Sequence, residues 1–300
     1  MRISFNEARS NKFKSVVLMS FFIIIIGVLG AFIGILYDNL YIGLFIAVVF
    51  AIIYTSIGYF SGGSMVLKMA GARPLTKQEF PHMHHAIEGL SIAANIPVPK
   101  AYVIEDPSPN AFATGRDPQH ASVAVTTGLL KILNREELEG VLAHEIAHIK
   151  HYDIRFMMLT TVLVGIVVLL SDFLLRSFLW SSISGRRSGG NAGALTLVLI
   201  VVGIVLAILT PLVGQMIKLA ISRKREYAAD ASAATITRYP KGLANALRKI
   251  TGDHHEMKNN NKAMAHMYIS SPYKKKRSWF SNLFATHPPA EERIKRLEQM

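Results

Sequence analysis

Long uncharged stretches dominate the pattern of hydrophobic and polar positions along the 300-residue chain. Residues 16–36 and 40–60 carry no charged side chain, and an apolar helix of about 20 residues is long enough to cross the hydrocarbon layer of a bilayer. Only the short segment 37–39 separates the two stretches. The pattern therefore predicts a transmembrane hairpin, which is not a cleaved signal peptide because a second span follows the first at once.

Two further apolar stretches occur later in the chain. Residues 195–217 are uncharged throughout, whereas residues 156–171 form a shorter stretch that is followed by Asp172 and Arg176. We expect the two stretches to form a second apolar hairpin over residues 156–217. Its first helix either crosses the bilayer fully or only dips into it, and the sequence leaves both alternatives open.

Lysine and arginine residues lie mostly on one side of these predicted spans. They cluster before the first span, after the second, before the third and after the fourth. Basic residues near the ends of spans favour the cytoplasmic side of a membrane. We therefore expect both termini and the segments 61–155 and 218–300 to face the cytoplasm.

The composition excludes several kinds of site and indicates a partner for the basic C-terminal segment. The chain contains no cysteine, which excludes disulfides, cysteine-based zinc sites and thiol nucleophiles. Residues 218–300 hold 17 basic and seven acidic residues, and therefore most of the net charge of +13. A basic run at residues 274–277 suits anionic lipid headgroups better than nucleic acid in a membrane-tethered chain, and a solvated basic surface is the alternative.

One predicted helix carries metal-binding chemistry. Asn134 and Glu137 form the pattern of a capping box and begin a helix over residues 135–151. His144 and His148 are four residues apart on one face of this helix, which lets both imidazoles reach one zinc ion. Glu145 lies beside the open coordination position. The alternative is a pair of histidines on an ordinary helix surface.

A third ligand is expected after the fourth apolar stretch. Glu226 and Asp230 are also four residues apart, so that Glu226 can bind the metal while Asp230 accepts a hydrogen bond from a ligand histidine. The alternative is a surface helix whose acidic side chains pair with nearby arginines, and such pairs contribute little to stability.

The segment H-E-I-A-H, followed after two apolar stretches by S-R-K-R-E-Y-A-A-D, resembles integral-membrane zinc proteases of the HtpX type, which are relatives of the CAAX prenyl proteases and of soluble gluzincins. The resemblance implies that Glu145 is the catalytic base and that Asp230 supports a metal ligand without binding the metal itself. The zinc ligands that it implies are His144, His148 and Glu226.

The same resemblance implies a fold and a division of the chain. We expect an α-helical membrane protein with four apolar helices in two hairpins and a cytosolic, mainly-α, gluzincin-like α+β catalytic domain. Residues 1–60 hold a basic segment and the first hairpin, and residues 61–155 hold the first part of the catalytic domain. Residues 156–217 form the second hairpin, and residues 218–300 complete the catalytic domain and end in a basic tail.

Residues Asn110, Ala111 and Phe112 resemble the segment that such peptidases place on a strand beside the metal. An exposed strand edge there can pair with an extended substrate, and Ala121–Thr126 is the expected partner strand. The alternative is a Pro/Asn turn that leads into a core strand.

His287 precedes two prolines and a short predicted helix over residues 290–299. Members of the family carry a similar His-Pro pair. His287 could stabilise an oxyanion or hold the tail against the site, and the alternative is that it belongs to the start of the helix, where proline is favoured.

The sequence thus predicts a zinc-dependent endopeptidase of the bacterial cytoplasmic membrane. The resemblance implies a role in stress response and in removing misfolded or damaged membrane proteins. The alternatives are an intramembrane metalloprotease that cuts transmembrane helices, a non-enzymatic metal-binding membrane protein, and a prenyl-protein protease.

Overall fold

The computed structural model describes residues 2–36, 38–166, 223–258, 264, 266–270 and 288–300. The remainder of the predicted second hairpin, residues 167–217, lies outside the described residues. So do the basic run at 274–277 and His287.

The first hairpin consists of two long helices, α1 (Arg2–Leu36) and α2 (Leu40–Met69). Asn39 caps α2, because its side-chain oxygen accepts a hydrogen bond from the backbone N–H of Ile42 at 3.2 Å. Both helices are long and apolar enough to cross a membrane, which confirms the two predicted candidate spans. Both also extend beyond the predicted uncharged stretches, α1 at its start and α2 at its end.

Small residues bring the two helices of this hairpin close together. A Cβ atom added at Gly30 would lie 2.0 Å from the Cβ of Ala47, and one added at Gly43 would lie 2.3 Å from the carbonyl oxygen of Gly30. Glycine at such a contact lets the backbones of membrane helices approach each other. The hairpin therefore depends on the lack of side chains at this crossing.

The outer surface of the hairpin is apolar and exposed. Exposed apolar side chains along two helices of spanning length are typical of a hairpin that lies in a bilayer. The large exposed side chains include Ile24, Val28, Tyr41, Phe45 and Phe60.

A four-stranded sheet forms the other structural unit, in the spatial order β1-β2-β4-β3. Its strands are β1 (Ala72–Pro74), β2 (Lys100–Ile104), β3 (Ala111–Gly115) and β4 (Ala121–Thr126). Strands β2 and β4 are parallel, and the other two pairs are antiparallel. The register pairs Ala111 with Val125, so the predicted pairing of these two strands is confirmed.

Helices make up most of the remaining described structure. They are α3 (Pro81–Ala94), α4 (Thr127–Ile132), α5 (Arg135–Lys150), α6 (153–166), α7 (Arg223–Thr237), α8 (Pro240–Gly252) and α9 (Ala290–Glu298), together with a 3-10 turn at Pro118–His120. The domain outside the membrane hairpin is therefore mainly α-helical.

Helix α5 forms the centre of this domain. The predicted capping box is present, since Asn134 Oδ1 accepts from the N–H of Glu137 at 2.9 Å and Glu137 Oε2 accepts from the N–H of Asn134 at 2.9 Å. Glu137 also pairs with Lys249 of α8 at 2.7 Å. Almost every later residue of the helix is buried, because α5 packs against β3, α3, α7 and α8.

The described part of α6 lies along α2. Met158 fills the space beside Gly62, Val162 lies against Gly58, and the hydroxyl of Tyr54 donates to the carbonyl of Val162 at 3.0 Å. Contacts in this order mean that the two helices run antiparallel. The second apolar region thus begins packed against the first hairpin.

Replacement of Gly30 by alanine tests the close helix crossing. The added methyl group would overlap Ala47, and overpacking of this kind costs about 1–3 kcal/mol. We expect a lower midpoint of thermal unfolding in detergent. Gly89→Ala is the matched control, because Gly89 is exposed on α3, a Cβ added there would meet no neighbouring atom within 4 Å, and alanine favours a helix by up to about 1 kcal/mol. Equal shifts in the two variants would contradict the account.

Candidate metal centre

Two histidines on α5 place their ring nitrogens together. Nε2 of His144 and Nε2 of His148 are 3.1 Å apart, and the two rings are nearly perpendicular, with an interplanar angle of 89°. Both side chains are buried. The spacing of one helical turn thus brings two lone pairs toward one point, as the sequence predicts.

Glu226 approaches the same point from α7. Its Oε1 lies 3.5 Å from Nε2 of His148, and its Oε2 lies 3.8 Å from Nε2 of His144. These three side chains form a group that could hold a metal ion, and no other such group occurs among the residues that the structure describes. Glu226 lies in the first turn of α7, which packs against α5.

Each histidine also contacts a carboxylate through its other ring nitrogen. Nδ1 of His144 lies 3.0 Å from Oδ1 of Asp230, and Nδ1 of His148 lies 2.9 Å from Oδ2 of Asp153. An ionised carboxylate only accepts hydrogen bonds, so these contacts favour the Nδ1–H tautomer of both rings. In the neutral form of each ring, the Nε2 lone pair is then directed toward Glu226.

Arg293 of α9 closes the side of the site next to Asp230. Its Nε donates to Oδ2 of Asp230 at 2.9 Å and its Nη2 donates to Oδ1 at 2.7 Å, while Nη1 lies 3.7 Å from Glu226. The Arg293 side chain is 1% exposed. A two-point contact of this kind fixes the orientation of the carboxylate, and therefore that of the His144 ring.

The buried charges shift the pKa values of this side of the site. Burial and the positive charge of Arg293 lower the pKa of His144 to about 4. Burial alone would raise the pKa of Asp230, but Arg293 and the hydrogen bond from His144 outweigh it and lower the pKa to about 2. His144 is thus neutral and Asp230 ionised at neutral pH, as a metal ligand and its supporting carboxylate require.

The environment of His148 is more negative than that of His144, because three carboxylates surround it. Burial disfavours its charged form, yet the hydrogen bond to Asp153 and the charges of Glu226, Asp153 and Glu145 together raise its pKa to about 9. The carboxylates around this ring therefore favour a positive charge at its position.

Three elements meet at Asp153. Tyr152, with a left-handed φ of 61°, turns the chain between α5 and α6 and so brings Asp153 back toward His148. Asn11 of α1 donates to Oδ1 of Asp153 at 2.6 Å, and Nε of Arg225 lies 3.7 Å from the same oxygen. The side chain that supports His148 is thus itself held by α1 and α7.

The predicted substrate strand forms β3 and the residue before it. Asn110, Ala111 and Phe112 are all buried. The amide of Asn110 donates to the carbonyl of Ser270 at 3.0 Å, and the N–H of Ile269 donates to the carbonyl of Ala111 at 3.0 Å. The beginning of this strand edge is therefore in contact with the chain's own segment 269–270.

Comparison with protein families identifies the chain. Residues 77–300 match the model of Peptidase family M48. The chain belongs to this family. It is therefore a metalloprotease, and the resemblance to HtpX-type proteases is confirmed.

Relatives within the family match over most of their length. The chain is 50% identical over 242 residues to the Protease HtpX homolog of Dictyoglomus thermophilum, covering 81% of this chain and 77% of that protein. It is 42% identical over 300 residues to the Protease HtpX homolog of Ligilactobacillus salivarius, covering 99% of each.

A solved structure shares the fold of this M48 peptidase. The crystal structure of S. mikatae Ste24p matches with a TM-score of 0.51 and 20% identity, over 85% of this chain and 58% of that one. At this identity the likeness concerns the fold alone.

Sequence reasoning missed Asn11, Asp153 and Arg293. Asp153 follows the end of α5 by a few residues, and an acidic residue so close to H-E-x-x-H was a usable signal. Arg293 stands in the run E-E-R-I-K-R-L-E, where nothing local separates it from the exposed Arg296. Asn11 lies among exposed residues of a basic segment, and only the folded chain shows its contact.

Replacement of Arg293 by alanine tests the support of Asp230. Removing one partner of a buried ion pair leaves an uncompensated charge and costs about 3–5 kcal/mol. We expect a correspondingly lower free energy of unfolding in detergent. The matched control is Arg135→Ala, because the exposed Arg135 forms a surface pair with Glu139 one turn along α5, and such a pair contributes at most about 1 kcal/mol. Similar losses in both variants would contradict this role of Arg293.

Proposed function

We propose that the chain is a zinc-dependent endopeptidase of the bacterial cytoplasmic membrane that degrades misfolded or damaged membrane proteins. His144, His148 and Glu226 bind the zinc ion, one per chain, and Glu145 is the catalytic base. The observation that carries the proposal is the convergence of three ligand atoms from α5 and α7 at separations of 3.1, 3.5 and 3.8 Å.

These separations suit a zinc site. Ligand atoms that lie 2.0–2.1 Å from a tetrahedral ion are about 3.4 Å from one another. Two imidazoles and one carboxylate also leave a fourth position for water, which distinguishes a catalytic zinc site from a structural one. The donor set and its spacing therefore support zinc with little rearrangement.

The buried charges support a divalent cation. Among the described residues at the site, four carboxylates outnumber two guanidinium groups by two, and the imidazoles are neutral when they bind a metal through Nε2. A cation of charge +2 balances this excess, and unbalanced charges are costly to bury. The charged side chains counted here are all buried: Glu145, Asp153, Arg225, Glu226, Asp230 and Arg293.

The reaction is peptide hydrolysis. When bound, zinc supplies Lewis-acid activation of water and of the scissile carbonyl. Glu145 accepts the proton of the attacking water and then delivers it to the leaving amine. Asp230 and Asp153 hold His144 and His148 in the Nδ1–H tautomer throughout.

The substrate is an extended polypeptide that pairs with the edge of β3. Asn110, Ala111 and Phe112 line the start of this edge, and loose side-chain preference follows because backbone groups supply most of the contacts. Segment 269–270 occupies the start of this edge through Asn110 and Ala111, so a substrate that pairs with these residues has to displace it.

The proposed topology places both termini and the active site on the cytoplasmic side. The apolar exposed surface of α1 and α2 supports a bilayer around the first hairpin, and the packing of α6 along α2 supports a second hairpin over residues 156–217. Anionic headgroups are the expected partner of the basic tail. Helix α5 is enclosed by the sheet and by other helices, which favours a cytosolic site over an intramembrane one.

Misfolded or damaged membrane proteins are the substrates that this location favours. A cytosolic site attached to a membrane hairpin meets polypeptide that is tethered to, or extracted from, the bilayer. The relatives are named as proteases of the HtpX type, and the choice of substrate class rests on location and on this kinship.

Glu145→Gln tests the role of the base. The variant keeps the size of the side chain but cannot take a proton, and general-base catalysis contributes about 10²–10⁴-fold to a rate. We expect zinc content equal to that of the parent and at least a hundredfold slower cleavage of an unfolded membrane protein in detergent. A variant that cleaves at the parental rate would show that Glu145 is not the base.

Glu226→Gln tests the third ligand. The amide oxygen is a neutral and weaker ligand, so we expect zinc to be lost to a competing chelator, as measured by elemental analysis of the purified chain. Glu256→Gln is the matched control, because Glu256 is exposed on the domain surface. If both variants retain zinc as the parent does, Glu226 is not a ligand.

A further inference from the structure

Asn11 is a buried polar residue in a basic segment of α1. It lies before the predicted first span, next to the exposed Lys12, and is 2% exposed. Ser15, Leu18 and Phe22 follow it on the same buried face of the helix. This face therefore begins with an amide and continues with the residues of the hairpin contact.

Both hydrogens of the Asn11 amide are used at the corner between α5 and α6. Nδ2 donates to Oδ1 of Asp153 at 2.6 Å and to the carbonyl of His151 at 3.0 Å. The amide oxygen lies 3.5 Å from Nη1 of Arg225, the residue before Glu226. A single side chain of α1 thus contacts the end of α5, the start of α6 and the start of α7.

The carboxylate of Asp153 divides its two oxygens between Asn11 and His148. Oδ1 accepts from the amide, and Oδ2 accepts from Nδ1 of His148 at 2.9 Å. A carboxylate held at one oxygen cannot rotate freely, so the other oxygen keeps its direction toward the imidazole. Groups behind a metal ligand orient the ligand in this way.

We propose that Asn11 is a positioning residue for His148, acting through Asp153. The cytosolic turn of the first membrane helix is then part of the metal centre, in addition to its role as an anchor. This inference rests on the zinc site of the proposed function, but it assigns a role to a segment that the catalytic motifs do not include.

The test is the zinc affinity of the full-length chain in detergent. This affinity is measured by competition with a chromophoric chelator. Removing a residue that hydrogen-bonds to a metal ligand weakens metal affinity by about 10–100-fold. We expect about tenfold weaker zinc binding in Asn11→Ala and a larger loss in Asp153→Ala. The double variant should bind zinc as Asp153→Ala does, because the proposed effect of Asn11 on His148 passes through that carboxylate and not through its contacts with His151 or Arg225.

Ser15→Ala is the matched control. Ser15 is buried one turn further along α1, and its hydroxyl donates only to the carbonyl of Asn11 at 2.8 Å. We expect parental zinc affinity in this variant. The visible spectrum of the Co²⁺-substituted chain is a second measurement, and it should change in Asn11→Ala but not in Ser15→Ala, because it reports ligand geometry.

Either of two results would overturn the inference. Parental zinc affinity and Co²⁺ spectrum in Asn11→Ala, or losses from Asn11→Ala and Asp153→Ala that multiply in the double variant, would show that Asn11 does not act through Asp153. If Asn11→Ala does not fold, Asn11→Ser carries the same expectations, since its hydroxyl is too short to reach both acceptors. Absence of zinc from the parent chain would instead refute the proposed function.

Discussion

The burial of like charges around three converging ligand atoms is the constraint on which the rest of the structure depends. Glu226 lies 3.8 and 3.5 Å from the Nε2 atoms of His144 and His148, the opposite ring nitrogens contact Asp230 and Asp153, and all three carboxylates are buried. Such groups are stable only when each is paired. The fold supplies each partner from a different segment: Arg293 from α9, Arg225 from α7 and Asn11 from α1.

This constraint explains why the catalytic domain and the membrane hairpin form one structure. Helix α5 carries two of the proposed ligands, and α7 carries the third after a long apolar region. Side chains from other segments help to hold these two helices in place: Asn11 of α1 contacts Asp153 after α5, and Arg293 of α9 contacts Asp230 of α7. Because α1 contributes Asn11 and α2 packs along α6, the hairpin contributes to the geometry of the site as well as to its location at a membrane.

The sequence predicted those features whose cause is local. Spacing along a helix placed His144 beside His148, an Asn/Glu pair marked the start of α5, and uncharged length marked α1 and α2. Spacing also made Glu226 a candidate third ligand, and the family resemblance favoured Glu226 as a ligand and residues 110–112 as a strand over their alternatives. Asn11 and Arg293 could not be predicted, because their roles come from contacts across more than 60 residues of sequence and their local patterns match those of solvated residues.

Anomalous diffraction at the zinc absorption edge, from crystals of the full-length chain loaded with zinc, tests the central claim most directly. The account predicts one peak per chain, about 2.0–2.1 Å from Nε2 of His144, Nε2 of His148 and a carboxylate oxygen of Glu226. A peak bound by other side chains, or a zinc ion that Glu226 does not touch, would contradict it.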